Sequence, residues 1–414
     1  MKNIKFFTLT TTKMLFAFAL LSVIAIQSCA DLEEDPSLSR LAPGQYTLQE
    51  ELELGVTGIY SRLRNASQWS TFFVNGWSGD DITTHRVSNK GDFREFDQRV
   101  VTPINGRISS NWRDIYAMVR AANNVLESAE GLELPDQDAQ NRLLGEIYFL
   151  RGTMFFHLTR IHGTIPLPLS SIPEFDIGLS TQEEVYAQIE SDLLAAINML
   201  PDVPAQTGRA TKGAAQALLG RAYLYQDKFG DAATVLEELI SSGQYALVTD
   251  YNSIFENEGE NGLGSIFEVQ YTDTEGAGFG CLQCSEGNVA VGFSGVRGYT
   301  GPLFTSGFSF NVPVQEAYDA FESEDGRRDV TILDILSWAD STGADFSTGN
   351  EHTGYFNRKY IPRKRNTEAQ SDLNLTNPNN YRSIRYADVL LMAAEANNRG
   401  GLSDSKAQEY LNMV

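Results

Sequence analysis

Two tryptophans eight residues apart, Trp69 and Trp77, stand in residues 68–81 (QWSTFFVNGWSGDD) beside Asn75, Asp80 and Asp81. Flat aromatic faces pack on the C–H surfaces of pyranose rings, and amides or carboxylates bond paired hydroxyls, so this composition suits capture of a sugar from water. The plainer alternative is that both indoles pack their loop on a scaffold while Asp80 and Asp81 cap a turn. A Gly-rich region further along offers a second group: Phe279, Arg297, Tyr299 and Trp338. Trp112 is set apart, because it shares one helical face with Ile115, Tyr116 and Val119 and reads as core.

Residues that would do covalent chemistry are sparse. The chain has four histidines, and His157 and His162 are five apart, so they do not share a helix face as a metalloprotease pair would. There is no G-x-S-x-G elbow and no phosphate-binding loop. A glycosidase needs two carboxylates, which 54 acidic residues supply in number, but nothing in the sequence singles out a pair. Cys281-Leu-Gln-Cys284 lacks a second pair or histidines to complete a zinc site, and in an exported chain it reads as a local disulfide bracing its loop. No catalytic residue, metal or cofactor is assigned. The one dense basic run, Arg358-Lys359-Tyr360 with Arg363-Lys364-Arg365, reads as a solvated edge, with a partner or an acidic glycan as the alternative contact.

Cys29 has a different chemistry. Lys2, Lys5 and Lys13 precede an apolar run of 13 residues, 14–26, which ends at Ser28-Cys29. A bilayer-spanning helix needs about 20 apolar residues, so residues 1–28 are a signal peptide rather than a span. A signal ending directly at cysteine is what lipoprotein processing requires, and Ile26-Gln27-Ser28-Cys29 resembles that lipobox, with Gln27 bulkier than usual. Two or three acyl chains, at about 0.8 kcal/mol per buried methylene, anchor a protein stably. Residues 29–45, with Asp31, Glu33, Glu34 and Asp35, form the tether, and residues 46–414 form the body. Beyond residue 28 there are 29 basic against 54 acidic side chains, a balance that argues against nucleic acid and for solubility.

The elements that must position these residues are mostly helical. Leu52, Val56, Ile59, Tyr60 and Leu63 form one stripe over residues 49–64, and residues 110–132 repeat the pattern. Residues 142–162 are nearly apolar all round, hence central. Thr181 with Glu184 predicts a capping box opening a helix that Pro201 ends. Residues 208–240 read as a helix hairpin with Ala217, Gly220 and Ala232 at tetratricopeptide spacing, small enough for close helix approach. Residues 384–401 and 403–414 predict a second pair, and such pairs bury their faces only by stacking. Helical periodicity lapses over about 271–354, a loop-rich insertion, and over 67–106 and 165–179. Loops of that length are usually functional.

Five stretches (110–132, 142–169, 208–225, 265–271 and 381–397) resemble, in order and spacing, the SusD/RagB-like outer-membrane nutrient-binding lipoproteins. The resemblance implies a mainly α fold of tetratricopeptide-like hairpins forming a superhelical scaffold with long irregular loops. It implies a lipid anchor at Cys29 on the outer membrane, facing the cell exterior, and partnership with a SusC-like TonB-dependent transporter. In that family the lipoprotein is a hinged, non-enzymatic lid that captures a nutrient, commonly an oligosaccharide, and delivers it to the barrel. The family places binding residues in the loop after its first helix, which favours Trp69, Asn75, Trp77, Asp80 and Asp81, and presents aromatics from the region that holds Tyr299 and Trp338. A peptide ligand is the alternative within the family; a glycan-degrading surface enzyme or a purely structural lipoprotein are the alternatives outside it. Two departures stand out: Gly152 replaces a slightly larger small residue, and the chain stops at Val414 where members of the family continue, so its C-terminus is expected to be truncated.

Overall fold

The computed structural model describes residues 46–69, 82–83, 91–274, 278–281, 284–310, 312–348, 352–363, 366–368 and 372–414. Residues 1–45, on which the expected signal peptide, Cys29 and the expected tether fall, and residues 70–81 lie outside the described residues.

Among the described residues, eight helices build the scaffold: α1 (Gln49–Trp69), α3 (Gly106–Ser128), α4 (Gln137–His162), α5 (Gln182–Met199), α6 (Lys212–Leu224), α7 (Phe229–Ser241), α12 (Tyr386–Arg399) and α13 (Asp404–Met413). A short helix, α2 (Gly91–Asp97), precedes α3. Each scaffold helix packs on the next, and α12 docks on α7, so the C-terminal pair continues the stack that the α6–α7 hairpin extends. One continuous core runs through it.

Local sequence explains the elements. On α1, Leu52, Val56, Ile59 and Leu63 are buried at helical spacing, as the stripe predicts. The Thr181–Glu184 capping box is formed at the start of α5. On α4 burial extends to most sides, including Leu143, Ile147, Phe149, Phe155 and Leu158. Two boundaries differ from the periodicity reading. The third helix starts at Gly106 and ends at Ser128, rather than spanning 110–132, because the Asn105 side chain caps the backbone N–H groups of Arg107 and Ile108 and the chain turns at Gly131. Helix α4 begins at Gln137 because Asp136 accepts from the Ala139 N–H.

Small residues set the helix spacing. A Cβ at Gly220 would lie 2.5 Å from Leu236 Cγ on α7, and one at Gly152 would lie 3.2 Å from Leu193 Cγ on α5. Gly152 therefore sits at a tight α4–α5 contact, where a methyl would push Leu193 by a few tenths of an ångström.

The region 271–380 is irregular but carries short elements: α8 (Val289–Ser294), α9 (Gln315–Asp319), α10 (Arg328–Thr331) and α11 (Ile335–Thr342). Strands pair across it: β2 (Ser265–Val269) with β6 (Tyr381–Arg385), β1 (Ile82–Thr83) with β3 (Val312–Pro313), and β4 (Ile332–Asp334) with β5 (Tyr355–Asn357), all antiparallel. Two small apolar clusters fill it, one around Phe293, Phe310 and Leu375, the other around Val296, Tyr299, Phe304, Leu333 and Phe356.

Arg363 corrects the solvated-edge reading of the basic run. It is buried and forms a two-pronged pair with Glu256, Nε to Oε2 at 2.8 Å and Nη2 to Oε1 at 3.1 Å, and also donates to the carbonyls of Arg358 and Ile361. A guanidinium satisfied in this way tolerates a dry site that an unpaired one would not. Arg358 lies over the Trp338 ring and Lys359 over those of Tyr251 and Phe255, so both contact protein; Lys364 and Arg365 are outside the described residues.

Arg382 occupies a second buried ionic cluster beneath the β2–β6 pair. Its guanidinium donates to the carbonyls of Asn380 and Glu256 and lies 3.5 Å from Glu260, while Glu268 accepts from Asn380 Nδ2 at 3.0 Å. Burial pushes the Glu260 carboxyl up to about 7, against the lowering effects of the Asn380 N–H and Arg382.

Two outcomes follow from this packing. Gly220→Val should destabilise the protein by about 1–3 kcal/mol in urea denaturation, and Leu236→Ala in the same chain should recover part of the loss. Between pH 4.5 and 7 the folded state holds a proton on Glu260 that the unfolded chain releases, so this group's contribution is present below 4.5 and lost as pH rises through 7. Denaturation midpoints across that window should therefore fall less steeply with pH in Glu260→Gln than in the parent protein.

Candidate functional site

The tryptophan-bearing segment is bracketed by described structure. Helix α1 ends at Trp69, and β1 resumes at Ile82, where Ile82 opposes Pro313 and Thr83 opposes Val312. Near its start, Arg64 Nη1 meets Glu286 Oε1 at 3.2 Å and the Arg64 carbonyl accepts from the Tyr271 hydroxyl. Both flanks are thus tied to the region 271–313. The side chain of Trp69, with Asn75, Trp77, Asp80 and Asp81, lies outside the described residues.

Beside this bracket, the Gly-rich loop closes on itself: the Thr272 N–H donates to the Glu286 carbonyl at 3.0 Å, and Cys281 and Cys284 form the expected local disulfide. The loop holds out Phe279, which is 55% exposed. The Phe279 ring meets the half-buried Phe308 edge-on at 5.9 Å, and Phe308 rests on Phe293 and Phe310, themselves stacked with centroids 5.3 Å apart. Phe308 and Phe310 are held in register by N–H bonds to the carbonyls of Gly292 and Phe293. Glycine is required at this crossing, since a Cβ at Gly292 would lie 1.9 Å from the Asn374 carbonyl oxygen and one at Gly307 would lie 2.4 Å from Gly295 Cα.

Arg297 borders the same strip. Its Nη2 donates to the Phe308 carbonyl at 3.0 Å, while its buried Nε has no acceptor among the described residues. Together these groups present an aromatic face with a cationic donor behind it. An aromatic ring offers a sugar its apolar faces without withdrawing hydroxyls from water, so the arrangement suits reversible capture.

Tyr299 and Trp338 sit in the neighbouring cluster with Phe304. Tyr299 is buried: its hydroxyl donates to the Pro302 carbonyl at 2.7 Å and accepts from Trp338 Nε1 at 2.9 Å. Burial raises its pKa, with the Trp338 bond opposing. Its ring therefore has no open face, and what it does is hold Trp338. Trp338 is half-buried, with Phe304 against it at 5.3 Å and the Arg358 guanidinium 5.6 Å from its ring.

Trp112 lies at the margin of the main core, against Tyr116 and His162, and His162 also meets Asn111 Oδ1 at 3.2 Å. Among the described residues no group of three or more His, Cys, Asp or Glu side chains is placed to hold a metal, and no helix is long and apolar enough to cross a membrane. Phe293, Phe308 and Phe310 carry no distinct signal of this role in the sequence. The signal available for two of them is the alternation Phe308-Ser309-Phe310, which resembles any short strand.

Comparisons with known proteins agree with this architecture. A family model described as starch-binding associating with outer membrane matches residues 31–224, and the SusD family model matches residues 264–414. SusD-like protein P2 from Formosa agariphila is 27% identical, covering 97% of this chain and 80% of that protein. A solved laminarin-binding SusD-like protein superposes with a TM-score of 0.81 at 31% identity, covering 89% of this chain and 84% of that one. Surface glycan-binding protein A from Bacteroides thetaiotaomicron, solved with laminarihexaose, shares the fold at a TM-score of 0.76 and 23% identity, over 88% of this chain and 81% of that one. From the stacked small-residue hairpins and a likeness that spans most of both chains, this protein is a member of the SusD family.

Proposed function

We propose that this chain is a surface lipoprotein that captures an oligosaccharide and delivers it to a SusC-like TonB-dependent transporter in the outer membrane. On this reading residues 1–28 are removed, Cys29 is acylated, residues 29–45 are the tether and residues 46–414 are the binding body. The observation that supports glycan capture most directly is the 31% identity to a laminarin-binding family member, combined with an aromatic strip that exposes Phe279 beside the half-buried Phe308. A laminarin-type β-glucan is accordingly the first ligand to test.

The binding surface proposed is this strip together with Trp69, Asn75, Trp77, Asp80 and Asp81, whose segment is flanked by the same elements. Trp338 forms a second, separate contact, oriented from below by Tyr299. The reading assigns no hydrolytic role to any residue: recognition rests on ring faces and hydroxyl partners, with cleavage left to other proteins.

Calorimetry of the detergent-purified full chain with laminarihexaose should show saturable binding and no release of new reducing ends. Phe279→Ala should weaken affinity about tenfold, about 1.4 kcal/mol. Absence of binding heat with laminarihexaose, or wild-type affinity in Phe279→Ala, would remove the ligand or the strip respectively. Cys29→Ser should move the protein out of the membrane fraction of cells; retention there would contradict the anchor.

A further inference from the structure

A cavity of about 360 Å³ opens where α4, α6 and β6 meet, and none of the aromatic-strip residues line it. Its polar wall consists of Thr153, His157 and Arg160 from α4, Arg221 from α6, and Tyr381 and Ser383 from β6. Its floor is apolar, built in part by Phe156 and Phe267. Among the described residues no Asp or Glu lines it, in a chain whose net charge is −22.

The two guanidiniums differ in how they are compensated. Arg221 is paired with Asp388, which stands outside the cavity wall. Arg160 has no carboxylate within ion-pair distance among the described residues: its Nη2 meets His157 Nδ1 at 3.3 Å and its guanidinium lies over the Phe156 ring at 5.5 Å. His157 does not add a third charge at neutral pH, because burial first, then Arg160 and Arg221, lowers its pKa to about 3. Its Nδ1 instead faces Arg160 as an acceptor. A cation left half-buried without a counter-charge gains from any anion that reaches it, and the planar guanidinium fork matches a carboxylate in particular.

Cavity size and floor narrow the class of ligand. The volume falls at the lower end of small-molecule sites, which run from about 300 to 1,000 Å³. A bare sulfate or phosphate would occupy a small part of it and leave the phenylalanine floor against water. A ring-bearing acid would place its carboxylate at Arg160 and Arg221, its body on Phe156 and Phe267, and its hydroxyls near Tyr381 and Ser383. We infer that this cavity is a second ligand site, distinct from the aromatic strip, for a small organic carboxylate of hexuronate size. Arg160 and Ser383, both partly exposed, leave an entrance from solvent.

The test uses the full chain in detergent with sodium glucuronate as probe, and glucose, sodium sulfate and sodium phosphate as comparisons at matched ionic strength. Glucuronate should raise the unfolding temperature saturably and give calorimetric binding that weakens with added salt, whereas glucose should do neither. Arg160→Gln should lower glucuronate affinity at least tenfold while laminarihexaose titrations are unchanged. Arg160→Lys, which keeps the charge but not the fork, should fall between the two and carries the comparison if the glutamine variant does not fold. No saturable glucuronate effect, or equal affinity in the Arg160 variants, overturns the site. Saturable sulfate or phosphate binding without glucuronate binding overturns the carboxylate assignment.

Discussion

Arg151 fixes the geometry on which the rest of the scaffold depends. From the middle of α4 it reaches Asp192 on α5 with two bonds, Nε at 2.9 Å and Nη2 at 2.6 Å, and Asn123 on α3 with a third at 2.9 Å. Asn123 in turn donates to the carbonyls of Pro168 and Ser170, so three helices and the loop after α4 meet at one buried point. Taking both charges out of water is costly; burial raises the Asp192 pKa, and the Arg151 bonds oppose that shift. Such a pair adds little net stability over a well-packed apolar one, but losing either member strands a charge at a cost of about 3–5 kcal/mol. Its effect is therefore on register: the helices can pack with this pair closed or not pack well at all.

From that point outward the helical scaffold and the loop region that carries the proposed binding strip are built by different means. The helices approach through small residues against leucines, as at Gly220 with Leu236 and Gly152 with Leu193, and share one core. The loops have no such core to join. Their two small aromatic clusters are fastened by buried side chains that bond backbone, such as Asn288 to the Asn379 carbonyl and Arg363 to those of Arg358 and Ile361. Rings held this way stay put while one edge of the cluster, Phe279, remains in water. A rigid base with an exposed ring keeps the entropy cost of ligand capture low.

How much of this was legible in the sequence follows the range of the interactions. The α1 stripe, the Thr181 capping box and the α6–α7 hairpin are local patterns, and each is present where the periodicity places it. The start of α3 is not legible in the apolar repeat because Asn105, a cap outside it, decides it. Arg363 looked like part of a solvated basic run because its partner, Glu256, is 107 residues away and no pattern links them. Residue type alone marks Tyr299 and Trp338 as candidate ligand contacts, and it does not show that the Tyr299 hydroxyl accepts from Trp338 Nε1. Residue type predicts what a loop side chain is able to do, and only the path of the backbone decides which side chains face outward.

The pairing of β2 with β6 has an evolutionary consequence. Ser265 opposes Arg385 and Val269 opposes Tyr381, so everything between departs from and returns to a single doorway in the helical stack. Chain-closure entropy grows slowly, by about 0.6 kcal/mol for each doubling of length. New sequence spliced into that one detour can lengthen or reshape the loops around Phe279 while the helices before it stay as they are.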